Sequence, residues 1–152
     1  MRSPGAVLIG LVAILALVGT TPANGDARPR FAAFDLTVDA GDVPLAAWQV
    51  EVRYDPATTK ILSLEGGETA AFRDAPHYDR RGFTGGRIVI AAFAGRDEDA
   101  PRGATRVGRL HLRTEGDAAP PTVRLVTAAR PGGEKIEARA TLAPASAEEE
   151  GK

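Results

Sequence analysis

From Phe31 onward the chain alternates apolar and polar side chains in short runs, broken by clusters of Gly, Pro and Asp. A period of two puts every second side chain on one face of an extended strand, so such runs predict half-buried β-strands. In Phe31 to Asp39, Phe34, Leu36 and Val38 share one face while Asp35, Thr37 and Asp39 take the other. In Ala46 to Tyr54, Trp48, Val50, Val52 and Tyr54 alternate with Gln49, Glu51 and Arg53, so both aromatics are expected to face inward with the valines. Asp55-Pro56 suits a turn, because Asp accepts a local backbone hydrogen bond and Pro presets φ for the next position.

Further strands are predicted over Lys60 to Glu65, Arg87 to Ala94, Thr105 to Thr114, Thr122 to Thr127 and Lys135 to Leu142. Arg130-Pro131-Gly132-Gly133 joins the last two as a turn. Short strands with polar turns and no helical periodicity predict an all-β fold, an antiparallel β-sandwich of jelly-roll or Ig-like type. A closed barrel is the alternative. The long stretch without alternation, residues 66–86, is expected to be functional or to contain short structure of its own.

The first residues read differently. Met1 to Gly25 has a basic Arg2, an apolar run from Ala6 to Val18, and then small, turn-forming residues. That is the layout of a secretory signal peptide, with cleavage expected after Ala23 or Gly25. The run is shorter than the roughly 20 residues that span a bilayer, so no membrane insertion is expected after cleavage. The expected organisation is a signal peptide over 1–25, one domain over 26–142 and a disordered acidic tail over 143–152. Export would place the domain outside the cell, in the periplasm or at the cell surface.

Composition narrows the chemistry. There is no cysteine, which removes disulfides and thiolate metal sites and leaves an exported domain to be held by its own core. The formal net charge is −1, and loss of residues 1–25 takes away only Arg2. Nothing in that balance points to nucleic acid or an anionic membrane.

Catalytic constellations are not apparent. Ser63 lacks the strand-turn-helix elbow that exposes a nucleophilic serine, and His111 alternates with Arg109 and Arg113 on a polar strand face. Glu51, Glu65, Glu68, Glu115, Glu134 and Glu137 have no context that singles out a catalytic pair, and solvated strand faces explain most of them. The chain is therefore read as a non-enzyme with no required cofactor. Asp97 and Asp99 are calcium candidates with oxygen ligands in one acidic loop, and Asp35, Asp39 and Asp42 cluster near another, but neither has EF-hand spacing.

Two surfaces are candidates for contact. The 66–86 loop carries Phe72, Tyr78 and Phe83 among Arg73, His77, Asp79, Arg80 and Arg81; its aromatics either reach a ligand or plug one end of the sandwich. The other is the polar strand face of Arg109, His111 and Arg113.

Tyr54-Asp55-Pro56, the strand from Ile61 to Gly66, Gly86 to Phe93 and the Val107 to Leu112 region together resemble the cohesin domain family. The likeness covers about Phe31 to Val126. It implies a nine-stranded jelly-roll sandwich, without catalysis, that binds dockerin modules through one sheet face and so assembles secreted polysaccharide-degrading enzymes or cell-envelope complexes. The same fold is similar to some carbohydrate-binding modules, which keeps a polysaccharide bound at the 66–86 loop as the alternative partner.

Overall fold

The computed structural model describes residues 28–146, so the expected signal peptide and the end of the acidic tail lie outside the described residues. Eight strands form: β1 (Arg30–Asp39), β2 (Ala47–Arg53), β3 (Thr59–Gly66), β4 (His77–Tyr78), β5 (Arg87–Phe93), β6 (Ala104–Thr114), β7 (Thr122–Ala129) and β8 (Arg139–Pro144). They make two antiparallel four-stranded sheets, ordered β3-β6-β1-β8 and β4-β5-β2-β7. This is the expected sandwich, not a closed barrel, with eight described strands where the family resemblance implied nine.

The core lies between the sheets and follows the alternation. Leu36 and Val38 of β1, Leu110 and Leu112 of β6, Trp48, Val50 and Val52 of β2, and Ile88 and Ile90 of β5 are all essentially inaccessible to solvent. Each such aliphatic side chain contributes about 1.5–3 kcal/mol relative to exposure, which is how a chain without cysteine holds its shape. Trp48 and Tyr54 point inward, as the period predicts.

Tyr54 also ties β2 to the segment before β5. Its hydroxyl donates to Gly82 O at 2.5 Å, and its backbone N–H donates to Gly86 O at 3.0 Å. Gly86 has φ +77°, and a Cβ there would sit 3.0 Å from Pro56 Cδ, so the turn that delivers β5 needs glycine.

Three elements depart from the sequence reading. The strand expected over Lys135 to Leu142 is split: Lys135 bridges only to Ala129, Ile136 N–H bonds Ala128 O, and the chain then crosses over to join β1 as β8 from Arg139. The alternation runs through both parts, but the strand they pair with changes. Ala143 and Pro144 belong to β8 and Ala145 N–H bonds Ala33 O, so the expected tail begins too early at residue 143. Finally, the 66–86 stretch contains two 3-10 turns, Ala70–Phe72 and Arg80–Phe83, and the two-residue β4.

Two one-residue register shifts lie on edge strands. Ile61 pairs with Leu112 and Ser63 with His111, leaving Leu62 as an extra residue; Gln49 pairs with Thr127 and Val50 with Leu125, leaving Val126 extra. Leu62 and Val126 are 47% and 42% exposed. Each follows an inward residue, Ile61 or Leu125, and the bulge keeps the next residue outward as well before alternation resumes at Leu64 and Ala128.

Candidate interaction surfaces

The 66–86 loop is tightly built. A Cβ on Gly66 would lie 1.9 Å from Arg73 O, and one on Gly67 would lie 2.3 Å from Arg106 O, so the loop packs backbone on backbone. Glu68 closes it by accepting the Arg106 N–H at 2.9 Å. Phe72 is 2% exposed and meets Trp48 edge to face at 6.2 Å, so it is a plug and cannot contact a partner. Tyr78 stacks on Phe83 at 5.0 Å, both half-buried. His77 is exposed and stacks on Phe93, centroids 5.6 Å apart. Arg73, Arg80 and Arg81 are exposed around this loop.

On the outer face of the β3-β6-β1-β8 sheet the predicted basic residues are matched by acids. Arg109 makes two hydrogen bonds to Asp35, at 2.7 and 3.2 Å, and is only 14% exposed. Arg113 bonds Glu115 at 2.5 Å, and His111 Nε2 lies 2.9 Å from Glu65 Oε1 without hydrogen-bond alignment. The register sets Ser63 opposite His111. Glu65, and not Ser63, is the side chain that stands against His111 Nε2. Beside it, exposed Phe31 and Leu62 border a hollow of about 190 Å³ with His111.

The other sheet's outer face is organised differently. The register aligns Thr122, Arg53 and Arg87 in one row; Arg124, Glu51 and Val89 in the next; then Thr127, Gln49, Ala91 and His77; and last Ala129, Ala47 and Phe93. Glu51 stands in the middle of the basic end and is only 3% exposed. Arg53 Nε reaches Oε1 at 2.7 Å, Arg87 reaches Oε2 with Nε at 2.7 Å and a terminal nitrogen at 2.6 Å, and Arg124 stands 3.6 Å from Oε2. The side chains of Arg53, Arg87 and Arg124 are 67%, 56% and 67% exposed. Glu51 is thus roofed by arginine side chains lying on the sheet rather than sunk among apolar groups. The Arg53 hydrogen bond, opposed by lost hydration and reinforced by Arg87, holds its carboxyl below the ordinary value.

Sequence reasoning placed Glu51 on a solvated face and did not find this cluster. The alternation gave its direction, but its partners come from β5 and β7 and become neighbours only through the register. Phe93, 66% exposed at the far end of the same face, is likewise predicted only as part of the strand from Arg87 to Ala94.

The acidic loop forms a 3-10 turn, Asp97–Asp99, in which Glu98 pairs with Arg96 at 2.6 Å. Asp35 is held by Arg109, and Asp39 accepts the Gly41 N–H. Among the described residues no group of three or more His, Asp or Glu side chains comes together as a metal site. A cleft of about 440 Å³ separates the loop around Phe72 from the β5 end, with His77, Phe93, Asp74, Arg96 and Asp99 on its walls.

No family model and no curated protein matches the sequence. The fold, however, is similar to solved structures. A chain of the CaDoc0917–CaCohA2 complex superposes with TM-score 0.55 at 12% identity, over 71% of this chain and 82% of that one. A chain of the Coh-OlpA–Doc918 complex, a type I cohesin-dockerin complex from Clostridium thermocellum, gives TM-score 0.55 at 10% identity over the same shares. Identity this low carries the fold and not the partner. Together with the two-sheet topology, these likenesses show a fold like that of the matched cohesin-dockerin structures, an antiparallel β-sandwich.

Proposed function

We propose that this chain is an exported, non-catalytic recognition module that docks a protein partner on the outer face of the β4-β5-β2-β7 sheet. The observation that carries the reading is the composition of that face: exposed Phe93 at one end, three arginines around one carboxylate at the other. Protein interfaces are enriched in aromatic residues and arginine, and a flat sheet face suits a broad partner better than a small substrate. On the opposite sheet Arg109, His111 and Arg113 each already face an acid, so a partner would displace pairs that exist. The two complexes named above each join two proteins, one of them a cohesin and a dockerin, which supports a dockerin-like partner here. Export rests on the sequence of Met1 to Gly25.

A polysaccharide remains a second reading because Phe93 opens toward the cleft that also holds Asp74, Arg96 and Asp99, a ring with polar groups beside it. The test is capture of secreted proteins from the source organism by the immobilised chain, with crosslinks mapped by mass spectrometry, beside retention on insoluble polysaccharides. Crosslinks to β2, β5 and β7, lost with Phe93→Ser, are expected. Polysaccharide retention lost with the same variant, without a protein partner, would replace the first reading by the second.

A further inference from the structure

The β4-β5-β2-β7 face holds three guanidinium groups against a single carboxylate, and that carboxylate is already engaged by two of them. Arg124, at 3.6 Å, is beyond hydrogen-bond length from Glu51. We infer that the partner of this face is an acidic protein segment that places a carboxylate over Arg53, Arg87 and Arg124 and an apolar side chain against Phe93 and His77. This inference rests on the docking face proposed above and names the chemistry of what docks there.

Three considerations support an acid over other partners. First, the charge is uncompensated locally: on the opposite sheet Arg109, His111 and Arg113 each face an acid, whereas here three arginines share the single carboxylate of Glu51. Second, Glu51 orders Arg53 and Arg87 before any partner arrives, so part of the entropy of fixing two long side chains is already lost in the free domain. Guanidinium forks are weakly hydrated and match carboxylate geometry, which favours a carboxylate as the incoming group. Third, the basic character is confined: the chain as a whole carries a net charge of −1, so it lacks the broad positive field that gathers nucleic acid.

The register also sets the spacing. Val89, beside Glu51, and Phe93 are four residues apart on β5, a distance of about 13 Å at the usual strand rise. An extended partner would meet both ends with an acidic residue at i and an apolar residue at i+4. A helical partner needs a separation of about nine residues for the same distance.

The experiment is fluorescence anisotropy with the full chain and defined probes. One probe is a fluorescein-labelled extended peptide, rich in Thr, with Glu at i and Phe at i+4; the second has Gln in place of Glu; the third is labelled polygalacturonate. The Glu peptide is expected to bind at least about tenfold more tightly than the Gln peptide. That advantage should collapse between about 0.05 and 0.5 M salt, where screening shortens from beyond 10 Å to a few Å. Arg124→Gln, which leaves the close bonds of Arg53 and Arg87 to Glu51 in place, should remove it, while Arg139→Gln on β8 should not. Equal binding of the Glu and Gln peptides would overturn the inference. So would polygalacturonate binding that ignores Phe93→Ser, which marks a general polyanion surface. The two readings fail separately: a captured partner that needs Phe93 but not Arg124 keeps the docking face and removes the acid, and one that needs neither removes both.

Discussion

Arg87 and Glu51, one strand apart and 36 residues apart in sequence, join through two nitrogens at 2.6 and 2.7 Å across the outer face of β5 and β2. The contact makes a carboxylate on a sheet exterior almost inaccessible, and its effect is measurable by pH. Because the folded-state pKa of Glu51 lies below the unfolded value near 4.5, its contribution to stability is present above that value and fades as pH falls through the folded pKa. Glu51→Gln should therefore lower the Tm at pH 7, and the gap to wild type should close as the pH is taken below 4.5. A gap that stays constant over that range would show that the arginines contribute nothing through charge.

Tyr54→Phe keeps the ring in the core and removes only the bond to Gly82 O. Urea unfolding should show a loss of about 1–3 kcal/mol, the cost of leaving a buried carbonyl without its donor. Hydrogen exchange should rise first in residues 80–86, the segment that this hydroxyl holds.

Gly66→Ala inserts a methyl group where Arg73 O stands 1.9 Å away, and no side chain can move aside to admit it. Failure to fold, or a loss above about 4 kcal/mol, is expected from that backbone clash. Gly95→Ala, with nothing within 4 Å of the new Cβ, is the control and should unfold near the wild-type midpoint.

The single tryptophan offers a direct reading of the loop's role. Trp48 is 1% exposed and packs on Phe72, so native emission should be blue-shifted and move to the red on unfolding. Phe72→Ala should cost about 3–5 kcal/mol, the range for a buried aromatic deleted from a core. A change below about 0.5 kcal/mol would mean that Phe72 behaves as a surface residue, contrary to its burial.

How much of this was legible in the sequence depends on whether a property is local. The period-two runs disclosed the sandwich and the inward Trp48 and Tyr54, because alternation reports one strand's two faces without knowledge of its neighbours. The Glu51 cluster needed three strands to be placed in register, and one-dimensional order held no sign that residues 51, 87 and 124 meet. Phe72 was undecided between plug and contact because a loop has no period to tell inside from outside. The strand expected from Lys135 was misplaced for a related reason: the pattern persisted while the chain changed partners between Ala129 and Asp39.

The bulges at Leu62 and Val126 bear on how copies of this domain behave beside one another. β3 and β7 are the long outer strands of their sheets, and a straight outer strand offers unpaired N–H and C=O groups to any second molecule. Each is interrupted by one extra residue, β4 is only two residues long, and β8 ends in Pro144, which has no N–H to give. All four rims of the sandwich are therefore poor templates for growth. A crowded solution of this domain should resist amyloid-type stacking even though it exposes Phe31 and Phe93, leaving those rings to meet other surfaces by their faces.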